Sequence, residues 1–302
     1  EGLTAIDAED DMIAPATAPM PESQNSVTIA RRGDMEVRLV TTPDDIYSSQ
    51  SLRYRVFYQE MSAKPDSDAL KTKLDKDAFD EICEHLIVID HSSKNSDVGG
   101  SGAGPAVIGT YRLLPQETAE KNGGFYTSNE FDISPLVNSK RGTHQFLELG
   151  RSCVLKQYRT KPTLELLWHG IWRYVRLRGL DVMLGCASFA GVDPKEFALS
   201  LSFLHHKCSA PEDWAVRALP HRYVNMNLMA ENQLDLRAAM RMLPPLIKGY
   251  LRLGAYIGDG AVIDEQFGTT DILIILPNSR ISSRYLARFG DPDEQITLDA
   301  EV

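Results

Sequence analysis

The chain has 302 residues, 43% of them hydrophobic, and a net charge of −10. That is enough apolar material for one large α/β domain or two small ones, and the negative balance argues against a general nucleic-acid binder. No run approaches the roughly 20 uninterrupted apolar residues of a membrane-spanning helix; residues 243–257 come nearest and are broken by Lys248 and Arg252.

Residues 1–34 are rich in Pro, Ala, Ser and acidic side chains without periodicity, and read as a disordered tail. The chain opens at Glu1 with no signal-peptide pattern, as a trimmed or partial chain would. Residues 37–40 form a first strand. Thr42-Pro43-Asp44-Asp45 is helix-start chemistry, so a helix should run to about Gln59. Two strands, 85–90 and 106–114, flank a Gly/Ser loop over 92–104. That loop does not open a helix, so it lacks the context of a phosphate-binding loop.

A strand is expected over 146–155, then a helix with apolar residues at Leu164, Leu167, Trp168, Ile171, Trp172 and Val175, ended by Gly179. A strand over 181–189 follows, and Asp193-Pro194 starts a helix to about His206. Residues 222–229 read as a strand, 236–253 as a cationic amphipathic helix kinked at Pro244-Pro245, and 271–276 as a closing strand. The end, from about Asp291, reads as a loose acidic tail. This order describes an α/β chain with a mixed sheet and helices on both faces.

Several runs carry a resemblance. Leu52-Arg53-Tyr54-Arg55-Val56-Phe57, Asp77-Ala78-Phe79-Asp80, Gly109-Thr110-Tyr111-Arg112-Leu113 and Glu148-Leu149-Gly150-Arg151-Ser152-Cys153-Val154 are similar to the signature of acyl-homoserine-lactone synthases over about residues 37–210. The later run Leu243-Pro244-Pro245-Leu246-Ile247-Lys248-Gly249-Tyr250-Leu251-Arg252-Leu253-Gly254-Ala255, then Asp264, Phe267 and Asp271, resembles the ornithine-lipid N-acyltransferases and their haemolysin-named relatives. The resemblance implies a GNAT-like acyltransferase fold with a splayed mixed sheet. One domain would cover 35–290, with a C-terminal extension from about 213 that the lactone synthases lack. It also implies transfer of a 3-hydroxyacyl chain from acyl carrier protein to the α-amino group of L-ornithine, giving lyso-ornithine lipid. No cofactor would be bound; the carrier's 4′-phosphopantetheine would be co-substrate. A lactone synthase and a non-catalytic acyl-lipid or membrane-binding protein are the alternatives.

The matching positions Arg53, Phe57, Asp77, Asp80, Arg112, Glu148 and Arg151 then become candidates. Making an amide from a thioester requires the attacking ammonium to lose a proton, which a positioned carboxylate can take. Glu148 sits in the apolar run Phe146-Leu147-Glu148-Leu149, where desolvation would raise its pKa; it is either the base or a structural partner of Arg151. Asp77 and Asp80 offer paired carboxylates for the ammonium groups of a diamino acid, and Arg112 a cation for its carboxylate. Alternatively, Arg53 and Arg112 pair with those two aspartates.

The acyl-pantetheine arm and its carrier are expected at Leu155, Arg159, Lys161 and Thr163. The run Tyr158-Arg159-Thr160-Lys161-Pro162-Thr163 lacks the glycines that bind a pyrophosphate, which weakens coenzyme A as donor. Arg159 and Lys161, with Arg173 and Arg176, suit the acidic helices of a carrier. The four cysteines show no Cys-x-x-Cys pair and read as reduced, buried thiols of a cytoplasmic protein, with Cys153 nearest the Glu148 motif. No metal site is expected, since His205-His206 are adjacent and lack a third ligand. The cationic helix suggests peripheral contact with an anionic inner membrane.

Overall fold

The computed structural model describes residues 28–61, 63–100 and 104–286. Its strands are β1 (Thr28–Arg32), β2 (Met35–Leu39), β3 (Glu84–Lys94), β4 (Pro105–Pro115), β5 (Phe131–Asp132), β6 (Phe146–Val154), β7 (Val182–Ala190), β8 (Arg217–Ala218), β9 (Tyr256–Asp264) and β10 (Thr269–Pro277). They form one mixed sheet in the order β1-β2-β3-β4-β6-β7-β10-β9-β8-β5.

β1 falls inside the stretch expected to be disordered. Ile29 is buried, its carbonyl accepts from Arg173 Nη1 at 2.8 Å, and Gly33, at φ +59°, turns the chain into β2. Residues 1–27 of that stretch and the acidic tail 291–302 lie outside the described residues.

The α-helices are α1 (Pro43–Tyr54), α2 (Ser67–Thr72), α3 (Gln116–Lys121), α4 (Ser134–Ser139), α5 (Lys161–Leu177), α6 (Ala198–Cys208), α7 (Leu236–Met242), α8 (Pro245–Leu253) and α9 (Ser283–Leu286). Thr42 caps α1, accepting from the Asp45 N–H at 3.2 Å, with Pro43 at the first turn as anticipated. A π-helical turn, Arg55–Glu60, continues it. The helix expected over 236–253 is two helices, because Pro244 and Pro245 supply no N–H and force Leu243 into extended backbone (ψ 142°). Residues 222–229 are irregular chain with one bridge, Val224↔Ala261; the Ser202 hydroxyl, not a strand, takes the N–H groups of Leu228 and Met229.

Both faces of the sheet are covered. Leu113 and Leu114 are adjacent on β4, point to opposite faces, and are both buried, in separate apolar clusters. One cluster joins α1, α5, α6 and α8 to the strands. The other lies under residues 119–137, to which the sequence assigned no element. Among the described residues no helix is long and apolar enough to cross a membrane.

The site depends on one parallel pair. β6 and β7 pair only at Phe146↔Val182, Leu147↔Met183 and Glu148↔Leu184. Beyond Glu148, β6 continues against β4 and β7 against β10. Gly185 sits where they part: a Cβ there would stand 2.3 Å from the Leu149 carbonyl oxygen, so only glycine allows the two backbones this close.

Candidate active site

The parting of β6 and β7 opens a cavity of about 590 Å³. Its lining divides by chemistry. Leu164, Leu167 and Trp168 of α5 and Pro245, Leu246 and Gly249 of α8 supply apolar wall; Glu130, Glu148, Arg151, Asp264 and Asp271 supply charge. A cleft with both characters suits an amphiphile with a long apolar chain and a polar head.

Glu148 is the last residue of the parallel pair and is buried. Its Oε1 accepts from the Thr127 N–H at 2.6 Å and from the Thr127 hydroxyl, and its Oε2 from the Tyr126 N–H at 2.8 Å. Burial raises its pKa above the usual carboxylate range, against the pull of these donors and the Arg112 charge. Among the described residues its hydrogen-bond partners are the 126–127 backbone and the Thr127 hydroxyl rather than Arg151.

Arg53, Arg112 and Arg151 interlock with Asp75, Asp77 and Asp80. Arg53, fully buried, bonds Asp75 Oδ2 through Nε at 2.8 Å and both oxygens of Asp80 at 2.8 and 2.6 Å. Arg112 Nη1 reaches Asp77 Oδ1 at 2.6 Å, and Arg151 Nη2 reaches Asp77 Oδ2 at 3.0 Å. The two aspartates also cap the turn that carries them: Asp77 Oδ1 accepts from Phe79 N–H and Asp80 Oδ2 from Asp77 N–H. These charges therefore balance one another within the protein. Asp80 is held down to about 2: burial pushes its pKa up, but the hydrogen bond and charge of Arg53, with Arg112, outweigh that.

A bulge aims Arg151. Opposite β4, Thr110 pairs Cys153 and Arg112 pairs Gly150, so β6 carries one residue more than β4 here. Arg151 sits in the left-handed region at φ +48°, a conformation that costs a non-glycine residue energy. In return its guanidinium lies 4.7 Å from the ring centre of Phe267 and 5.0 Å from that of Tyr126. Phe267, at the tip of the β9–β10 hairpin, meets Phe57 edge-to-face at 5.6 Å, and both line the cleft.

Residues 52–169 match the model of the acetyltransferase (GNAT) domain. An L-ornithine N(alpha)-acyltransferase of Brucella abortus is 50% identical over 266 residues, covering 88% of this chain and 92% of that protein. One from Agrobacterium fabrum is 48% identical over 272 residues, 90% of each chain. A third, from Rhizobium meliloti, is 46% identical over 290 residues, 96% of this chain and 94% of its own. The chain belongs to the L-ornithine N(alpha)-acyltransferase family. It is an acyltransferase of GNAT fold.

In this acyltransferase the expected donor-side residues lie together at the start of α5, but they differ in what they leave free. Leu155 is buried and bonds the Ile108 carbonyl through its N–H at 2.9 Å. Thr163 is buried, its hydroxyl 3.0 Å from that of Thr160. Arg159 lines the cleft and forks onto Glu60 at 2.5 and 2.9 Å. Lys161, 77% exposed, is only loosely paired with Glu165 at 3.7 Å.

Several residues that line or border the cleft were not singled out in the sequence. Tyr126, Thr127 and Glu130 lie on short turns between β4 and β6 that have no periodicity. Asp75 stands outside every motif, yet anchors Arg53. Cys83, Cys153 and Cys186 line the cleft, and burial drives the first two up to about 12 and the third well above the usual thiol range. They are neutral thiols, unsuited to act as nucleophiles. His205 and His206 stack edge-to-face 4.9 Å apart.

Proposed function

We propose that this acyltransferase moves a 3-hydroxyacyl chain from the phosphopantetheine thioester of acyl carrier protein to the α-amino group of L-ornithine, giving lyso-ornithine lipid. The observation that carries this reading is the cleft itself, where an apolar wall and a buried carboxylate with a raised pKa, Glu148, face the same space. Family membership supplies the acceptor.

In the proposed reaction Glu148, directly or through a water, takes a proton from the α-ammonium. The free amine attacks the thioester carbonyl, the C–N bond forms, the C–S bond breaks, and the departing thiolate is protonated. Past Glu148 the edge of β6 facing β7 has no strand partner among the described residues, so its peptide groups are available to the amides of a pantetheine arm. The acyl chain then extends between α5 and α8. Arg151 is a better partner for the acceptor carboxylate than Arg112, since its side chain is 14% exposed against 3%. Arg53, Arg112, Asp77 and Asp80 hold the wall in shape, a positioning role that their mutual pairing supports.

Lys161 and exposed Arg176 are the basic groups offered to an acidic carrier; Arg173 is tied to the Ile29 carbonyl. Peripheral contact with an anionic membrane is supported by Leu236, Met240 and Met242, large apolar side chains exposed beside Arg237 and Arg241.

The test is purified protein with a 3-hydroxyacyl carrier thioester and L-ornithine, read by mass spectrometry. An amide of ornithine on its α-nitrogen is the expected product. A lactone formed from S-adenosylmethionine, with no ornithine amide, overturns the reading.

A further inference from the structure

Three carboxylates that the acyl-transfer chemistry above does not use meet on one side of the cleft. Glu130 ends the turn before β5, Asp264 ends β9, and Asp271 lies on β10 opposite Ser188 of β7. An oxygen of each lies within 4.8 Å of the other two, and all three residues line the cavity. A point in their midst is therefore no more than about 2.8 Å from all three, hydrogen-bonding distance for N⁺–H···O⁻.

The protein leaves this group short of positive charge. Arg222 Nη1 stands 3.6 Å from Glu130, but Arg222 donates to the backbone carbonyls of Asn129 and Ile263 at 3.1 and 3.0 Å. Asp264 Oδ1 accepts from the Gln266 and Phe267 N–H groups. Among the described residues Asp271 Oδ1 is buried without a well-formed hydrogen bond; the Ser188 and Thr269 hydroxyls are the neighbours that favour its charged form, and the Thr269 hydroxyl is itself buried without a well-formed bond. Burial, with the Asp271 charge, pushes Glu130 up to about 7; Asp271 is also raised, first by burial. A buried carboxylate with an oxygen left without a well-formed hydrogen bond, grouped with two more carboxylates, is a site short of a cation.

We propose that Glu130, Asp264 and Asp271 form the subsite that receives the side-chain ammonium of the diamino acid acceptor, so that chain length and terminal charge select the substrate while its α-amine is presented to the thioester. A primary ammonium has three N–H donors, one for each carboxylate. The aspartates of the 77–80 turn cannot serve in this way, because Arg53, Arg112 and Arg151 already satisfy them. The subsite rests on the acceptor reading given under Proposed function, and the test separates the two.

The experiment compares L-ornithine with L-norvaline, the same straight side chain without its amine, in calorimetric binding and in carrier-dependent acyl transfer. Wild type should bind ornithine at least tenfold more tightly. Asp271→Asn should remove at least ten-fold of that preference and raise the KM for ornithine relative to norvaline. Glu130→Gln keeps an acceptor for the Cys186 thiol and provides a second variant should Asp271→Asn melt early. Preference for ornithine that survives both substitutions overturns the subsite. Selective ornithine binding that collapses in the variants supports it even if wild type forms no ornithine amide, a failure that falls on the transfer reading alone. Binding lost on chelation and restored by magnesium or calcium would make the triad a metal site and overturn the proposal.

Discussion

Thr127 holds the carboxylate of Glu148 twice, through its backbone N–H at 2.6 Å and through its hydroxyl. Together with the Tyr126 N–H this fixes the carboxylate at the vertex of the splayed strands. Glu148→Gln should lower kcat by roughly 10²–10⁴-fold if the carboxylate is the base. The same change sets an amide NH₂ against a backbone N–H, so a stability loss of about 1–3 kcal/mol should accompany it. Steady-state kinetics and thermal melting separate the two effects. Near-normal kcat would return Glu148 to a purely structural role.

The pH dependence follows from the same pair. Burial raises the Glu148 pKa, and the Thr127 donors lower it again by favouring the charged form. A base must be unprotonated, so kcat/KM should rise with pH through a value above the ordinary carboxylate range. Thr127→Val deletes one donor to the charged form and should move that limb to higher pH. A limb that stays in place would show that Glu148 does not govern it.

Arg53 is a stability prediction. Removing a buried guanidinium leaves Asp75 and Asp80 without it, at a cost of roughly 3–5 kcal/mol, so Arg53→Met should lower the urea midpoint sharply. Asp80 adds a pH signature. Its pKa is about 2 in the fold against 3.8 as the ordinary value, so its contribution is present above about pH 4 and is lost as pH falls toward 2. The variant should show a weaker acid dependence in that window. Equal acid dependence in both proteins would contradict this.

How much of this was legible in the sequence varies with the kind of signal. α5 was plain because its apolar positions repeat at helical spacing, and β3, β4, β6 and β7 because they are short apolar runs. The motifs named Arg53, Asp77, Asp80, Arg112 and Glu148, and the fold brings them to one wall. The sequence left Asp77 and Asp80 two readings, receptors for an ammonium or partners of Arg53 and Arg112; it did not choose between them, and it gave no sign that Arg151 and Asp75 join the network. Glu130 and Asp271, 141 positions apart, meet only because β5 and β10 belong to one sheet. No spacing rule spans that separation.

Gly185 tests the splay. A methyl group 2.3 Å from the Leu149 carbonyl cannot be accommodated unless β6 and β7 move apart at their last pairing. Gly185→Ala should therefore lower the melting temperature and remove most acyl transfer, with the cleft distorted rather than filled. Gly249→Ala is the control from the opposite wall, since nothing lies within 4 Å of a Cβ there. Equal behaviour of the two variants would show that the vertex does not need its close approach.

Membrane contact is the last prediction, and its geometry narrows to one patch. Ala239, Leu243, Ile247, Tyr250 and Leu253 are buried, so the core-facing sides of α7 and α8 are used in packing. Leu236, Met240 and Met242 remain exposed, with Arg237 and Arg241 between them, while Lys248 turns back to donate to the Arg241 carbonyl at 2.6 Å. Apolar side chains beside basic ones can enter the headgroup region, each basic residue adding about 1 kcal/mol near an anionic surface. The protein should co-sediment with anionic vesicles at low salt and be released as salt rises. Replacing Arg237 and Arg241 by Gln should weaken this binding, and Met240→Ser with Met242→Ser should weaken it further. These four side chains lie outside the cleft lining, so carrier-dependent transfer should continue in the variants. Intact protein that ignores anionic vesicles at low salt would remove this patch as a membrane contact.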